Sequence, residues 1–280
     1  MARSTLKIQA AGLSDRGLKR THNEDSLSVV PDLGLFIVAD GMGGHNAGEV
    51  ASRQSIESIV EFLRDVPSDL SSWPVTVDSS LSPAESRIVG AVKLANRDVC
   101  KLSMEHPEYH GMGTTLVGML LDPENAGVAI AHVGDSRAYR LREGKFVKVT
   151  LDHSWVEEQL QRGIITPEEA KNHRWKNVIT RALGNKLEVD VEVQSVDVRP
   201  NDVYMLCSDG LSGMVEHDEL ERIVLTYPDL EECAQQLIRA ANEAGGHDNI
   251  SLILVRILEE DAESDSNDMD ATGTDNDTDH

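Results

Sequence analysis

Between residues 114 and 149 the chain carries four short apolar segments, 114–121, 126–133, 136–142 and 145–149, separated only by tight Gly- or Asp-containing turns. Parallel neighbours in a sheet need a crossover of roughly a dozen residues or more. These segments therefore cannot be parallel neighbours, and they read as an antiparallel meander. Further strand signals lie at 34–40, 189–198, 203–207 and 249–258, with another (SLSVV) after Asp25. Helical spacing of apolar residues runs over 49–62, where Val50, Ile56, Ile59, Val60 and Leu63 fall near one face. Pro83 opens a second long helix to about Met104, and 218–226 and 231–244 are helical. Strands, two helices, more strands and late helices fit an α+β chain better than a doubly wound parallel sheet. The expected core is a β-sandwich of two mainly antiparallel sheets flanked by helices. The stretch 67–83, rich in Ser, Pro and Asp, reads as a surface loop. The polar, helix-prone stretch 155–176 interrupts the strands as a surface subdomain.

Charge narrows the partners. Of 49 acidic residues ten lie after Leu258, where there is no Lys or Arg, so the −23 formal charge divides into an acidic tail and a body of −13. Residues 259–280 are expected to be disordered. An acidic surface repels nucleic acid and anionic membranes, whereas a concave acidic patch attracts divalent cations. Cys100, Cys207 and Cys233 show neither a disulfide framework nor zinc-ligand spacing, which fits reduced, buried thiols. The N-terminus lacks a signal-peptide core, and no apolar run approaches the roughly 20 residues of a membrane span. A soluble, cytoplasmic, monomeric protein is expected, with no membrane or nucleic-acid partner.

The chemistry concentrates at strand ends. Asp40 follows GLFIVA, Asp135 follows AIAHVG, Asp209 follows VYMLCS, and Asp248 precedes NISLILV. One such Asp is an ordinary turn residue. Four converging carboxylates cannot all stay ionised without cations, and carboxylate oxygens with water suit magnesium or manganese. DGMGGHNAG, Asp40 to Gly48, is no dinucleotide fingerprint, because Asn46 stands where its last glycine belongs. Its glycines let backbone oxygens, Gly41's above all, approach a metal. Arg20, in RTHNED, offers a planar fork for a phosphate.

RTHNEDS, VADGMGG, GMGTT, HVGDSRAY, VTLDHS, RALG, CSDGL and GHDNIS, in this order, resemble the motif series of the PPM family, the type-2C protein phosphatases, in its bacterial form. The resemblance spans about residues 10–258 and implies one phosphatase domain over 1–258, with a substrate-selecting flap at about 155–178. It implies a metal-dependent phosphatase acting on phosphoserine and phosphothreonine proteins, substrates of a Ser/Thr kinase, with two Mn2+ or Mg2+ ions. Asp40 would bridge the ions, Asp209 and Asp248 would complete one of them, and Gly41 would lend its carbonyl to the other. Glu24 and Asp25 match acids that hold metal-bound water, Arg20 matches the phosphate-binding Arg, and Asp135 with Asp209 matches a third metal position. Asn249 is expected to orient Asp248. Some relatives carry, directly after the Asp-Gly pair, a His discussed as the general acid. Here that residue is Met42, and His45 is the candidate substitute. Two other readings compete: a module that keeps the fold without catalysis, and a metallophosphodiesterase, whose site would draw on several His ligands. Thr114 and Thr115 are expected to shape a strand, and adjacent His153 and Ser154, without a GxSxG elbow, to form no nucleophile pair.

Overall fold

The computed structural model describes residues 7–44, 47–65, 70–122 and 127–258. Its strands are β1 (Ile8–Asp15), β2 (Asp25–Val30), β3 (Leu35–Met42), β4 (Gly113–Thr114), β5 (Leu116–Asp122), β6 (Gly127–Val133), β7 (Arg137–Arg142), β8 (Lys145–Lys148), β9 (Glu192–Asp197), β10 (Val203–Cys207) and β11 (Ile250–Ile257). One sheet runs β1-β11-β10-β7-β8 and the other β2-β3-β5-β6-β9, with β4 pairing β3. Every pairing is antiparallel. The β7–β8 hairpin turns at Glu143 and Gly144, both at positive φ as a tight right-twisting turn requires.

Alternation along the strands divides the interior into layers. Phe36 and Val38 of β3, Val117 and Met119 of β5, Tyr204 and Leu206 of β10, and Ile253 and Val255 of β11 are buried together between the sheets. Leu35, Ile37 and Ala39 point the other way, against α1 (Ala47–Asp65) and α2 (Pro83–Glu105). The first sheet turns Met205, Cys207, Leu252 and Leu254 to α5 (Asp209–Ser212), α6 (His217–Thr226) and α7 (Leu230–Glu243). Burial on both faces explains why β3, β10 and β11 read as unbroken apolar runs. The start of α2 is written locally: Ser82 accepts from the Glu85 amide, the Glu85 carboxylate returns to Ser82 N–H, and Pro83 occupies the first turn.

The α-β-β-α arrangement agrees with the sequence expectation; four details differ from it. The segments between 114 and 149 do not form one meander: β5 pairs β6 and β7 pairs β8, but the chain crosses from one sheet to the other between β6 and β7. β1 carried no clear strand signal in IQAAGLSD, yet it pairs with β11 along its whole length, since an exposed β11 edge recruits any extended neighbour. The 67–83 stretch is no plain surface loop: Trp73 is buried, edge-on to Phe62 at 5.2 Å and against Gly90 of α2. β3 also extends past Asp40 to Met42, because Gly41 and Met42 pair with Thr114 and Gly113. Residues 66–69 and the acidic tail 259–280 lie outside the described residues.

Candidate active site

Strand register gathers the aspartates. Asp25 opens β2 directly opposite Asp40 of β3, two like charges on one antiparallel pair. In the other sheet, Cys207 of β10 pairs with both Arg137 of β7 and Leu252 of β11. Asp209 just after β10, Asp135 just before β7 and Asp248 just before β11 therefore leave the same end of that sheet. The sandwich closes these two ends on each other: Ser208, beside Asp209, donates to Asp25 Oδ2 at 2.8 Å, and the Asp40 and Asp209 carboxyls act on each other directly.

Burial and mutual repulsion dominate their electrostatics, with Arg137 and Arg20 offsetting only part of it. Burial, and then repulsion from Asp25, Asp209 and Asp135, pushes the Asp40 carboxyl well above the usual aspartate range. Burial and repulsion raise Asp25 to about 7, against hydrogen bonds from Ser251 and Ser208. Asp135 also rises to about 7, through burial and its proximity to Asp209 and Asp152. Asp209 and Glu24 shift upward as well, burial leading in both. Asp152 behaves oppositely. Although burial works against its charge, Arg137 grips both its oxygens at 2.6–3.0 Å and Lys148 stands at 3.2 Å, and its carboxyl falls below the usual range. The fold pairs Asp152 directly with Arg137 and Lys148, whereas Arg137 and Arg20 offset the charge of Asp135 and Asp209 only in part.

Two observations show that the set fits divalent cations. Glu24 Oε1 and Asp25 Oδ1 are buried without a hydrogen-bond partner. The donors are all oxygen, as hard cations require. Arg20 stands at the rim, its Nη2 2.7 Å from Asp248 Oδ2 and its Nη1 3.9 Å from Glu24 Oε2. From Asp135 and Asp209 a cleft of about 690 Å3 runs outward between α6 and the 155–178 segment, past Lys148, Lys176 and His217.

Several supports were invisible in the sequence. Thr115 N–H and the Thr114 hydroxyl both donate to the Asp40 carbonyl, at 2.8 and 2.9 Å, and the Thr115 hydroxyl accepts from Asp40 N–H at 3.3 Å. The threonines thus hold the Asp40 peptide as well as shaping the strand. Ser208 donates to Asp25 Oδ2 at 2.8 Å. Gly41 has no room for a Cβ, which would meet the Gly48 carbonyl of α1, and its N–H donates to Glu24 O. The repeated Thr of GMGTT was the available signal for the first pair; nothing local marked Ser208.

Asn249 does not orient the Asp248 carboxylate with its side chain. Its amide donates to the Arg16 and His22 carbonyls and its Oδ1 accepts from Glu24 N–H, so it fixes the 16–24 loop that bears Arg20. Only its backbone N–H meets Asp248. Ser154 caps α3 (Trp155–Gln161), and the His153 ring turns away to Gly134, so the two form no nucleophile pair. His45 lies outside the described residues.

Among the described residues, His132, His153 and Glu192 also bring ligand atoms within 4.8 Å of one another. They do not suit a cation. The rings stack at 4.6 Å and 18°, so their in-plane lone pairs run side by side rather than converging. His132 Nε2 is committed to Leu151 O, His153 Nδ1 accepts from Gly134 N–H, and the Arg181 guanidinium stands 3.3 Å from His153 Nε2.

Residues 18–255 match the protein phosphatase 2C family. The chain is 38% identical over 262 residues to the serine/threonine protein phosphatase PstP of Mycobacterium tuberculosis, covering 93% of this chain and 47% of that protein, and so spans about half the length of that relative. It is 37% identical over 245 residues to the serine/threonine phosphatase stp of Listeria monocytogenes, covering 86% of this chain and 93% of that one. The crystal structure of the PstP catalytic domain in complex with two manganese ions resembles it with a TM-score of 0.75 at 35% identity, over 91% of this chain and all of that one. With the sheet order, the gathered aspartates and the matched span in agreement, this chain belongs to the protein phosphatase 2C family.

Proposed function

We propose that the chain is a metal-dependent protein phosphatase that hydrolyses phosphoserine and phosphothreonine and opposes Ser/Thr kinase signalling. The observation that carries this reading is the convergence of the buried carboxyls of Asp25, Asp40, Asp135 and Asp209, all pushed upward despite Arg137 and the exposed guanidinium of Arg20 nearby. In this reading Asp40 and the Gly41 carbonyl serve two Mn2+ or Mg2+ ions, Asp209 and Asp248 complete one of them, and Asp135 with Asp209 provides an accessory third position. When bound, the ions supply Lewis acidity, which makes water acidic enough to react near neutral pH and offsets charge on phosphoryl oxygens.

The chain's own groups do the rest. Glu24 Oε1 and Asp25 Oδ1, the two buried oxygens without partners, hold and orient water. Asp25, raised to about 7, can hold a proton at that oxygen near neutrality. Arg20 offers its fork to two phosphoryl oxygens, and Asp248 and Glu24 keep it poised beside them. His45 is the candidate donor to the leaving alkoxide, since Met42 cannot give a proton. The 155–178 segment acts as a flap, and the cleft beneath it supports a part in substrate choice. No helix among the described residues is long and apolar enough to cross a membrane; in this reading the enzyme is a cytoplasmic monomer acting on phosphoproteins. Phosphate release from a phosphothreonine peptide should require manganese or magnesium, stop with chelator, and fall by more than roughly 100-fold in Asp209→Ala. Activity that survives both treatments overturns the reading.

A further inference from the structure

The neutral imidazole of His153 is almost fully buried, and ring and backbone of this residue together hold both main-chain polar groups of Gly134. Its Nδ1 accepts from Gly134 N–H at 3.1 Å, while its own backbone N–H donates to Gly134 O at 2.9 Å. Gly134 sits at φ +105°, and a Cβ there would run into Thr115, so the peptide before Asp135 has no other residue type and little other conformation open to it. With Nδ1 accepting, the ring hydrogen must lie on Nε2, which is 3.1 Å from Glu192 Oε2 and donates to it. Glu192 thereby favours the tautomer that Gly134 requires, against the Arg181 Nη1 donor that also approaches Nε2 at 3.3 Å. His153 also stands at the first stem of the 155–178 segment. Its carbonyl accepts from Thr180 N–H of the second stem at 2.8 Å, and Ser154 bridges to Ile179.

We propose that His153 is a positioning residue for Asp135: it fixes the Gly134 peptide from which Asp135 projects, and it joins that peptide to both stems of the 155–178 segment. The inference deepens the proposed function and rests on Asp135 as an accessory ligand. A ring committed to two neighbours and stacked on His132 can transmit a shift of the stems to the Asp135 carboxylate; a ring that merely filled space would not need one particular tautomer.

Two substitutions separate the ring's two bonds. His153→Asn keeps a carbonyl acceptor near the Nδ1 position and loses the Glu192 bond. His153→Gln keeps an amide near Nε2 and leaves Gly134 N–H unsatisfied. Manganese titrated calorimetrically into chelator-stripped full-length protein is the readout, with Tm in chelator as the control for folding. His153→Gln should weaken manganese binding at the accessory position by roughly 10-fold, and His153→Asn should stay within about threefold of the native chain. In an Asp135→Asn background neither change should alter the isotherm further. Equal isotherms for the native chain and His153→Gln overturn the proposal. So does an equal loss in both variants that follows Tm, or a His153→Gln effect that persists in Asp135→Asn. If Asp135→Asn itself leaves the isotherm unchanged, the accessory-ligand reading and this proposal fail together, while the Asp209→Ala test of phosphatase activity stands apart.

Discussion

Arg20 and the aspartates show how one residue's chemistry depends on whether its partner is a protein group. Asp152 has Arg137 and Lys148, and its carboxyl falls below the usual aspartate range; Asp40 faces other carboxylates, and burial with their repulsion pushes it well above that range. That contrast separates a structural acid from a candidate ligand, although both are Asp beside a strand. Arg20 is exposed and paired to Asp248, so the pair itself contributes at most about 1 kcal/mol to stability. Its worth lies in the fork. Arg20→Lys should leave Tm nearly unchanged and lower kcat/KM on a phosphopeptide by about 10-fold, because an ammonium keeps the charge and loses the two-pronged grip. Steady-state kinetics alongside calorimetry check this. His45→Ala should reduce turnover on phosphopeptides more than on an aryl phosphate, whose good leaving group needs little acid. Equal losses on both substrates would remove His45 from the acid role.

Elements rather than single residues decide where these groups stand. The β2–β3 register sets Asp25 against Asp40, and the β10–β11 and β10–β7 registers bring Asp209, Asp248 and Asp135 to one sheet end. A one-residue slip would turn each of them to the opposite face. The aspartates themselves were legible, because each stands at the end of an apolar run, and four such acids together exceed what turns alone require. Thr114, Thr115 and Ser208 were not, because a hydroxyl's task depends on what lies across the fold. Trp73 was likewise lost within a Ser/Pro-rich stretch, yet it fills the space beside Phe62 and Gly90. Trp73→Ala should lower stability by about 3 kcal/mol, read in a denaturant melt, with the m-value unchanged. A loss under about 0.5 kcal/mol would mean the segment contributes surface only.

At the scale of the whole molecule, the acidic cluster makes stability depend on pH and on metal. Asp25 and Asp135 titrate near 7 when folded and near 3.8 when unfolded. Between those values the folded chain binds more protons than the unfolded one, so its stability falls as pH rises through the window. In chelator, Tm should drop between pH 5 and pH 8, by roughly 2–4 °C for each kcal/mol lost. Manganese should raise Tm most at pH 8 and flatten the dependence, because it binds the deprotonated carboxylates. A chelated protein whose Tm rises steadily over that interval would contradict the repulsion on which the site rests.

Read alone, the chain determines that its strands pair antiparallel, that helices cover them, and that aspartates end several of them. Turn length and apolar patterning are local properties, and they survive without knowledge of distant partners. The tertiary structure decided which strands are neighbours, and with that β1's place beside β11 and the meeting of the two sheets' acidic ends. It also decided that Asn249 serves the Arg20 loop and that His153 serves Gly134. Those choices turn on contacts between residues far apart in sequence, where one hydrogen bond or one excluded methyl group sets the geometry, and no local pattern encodes them.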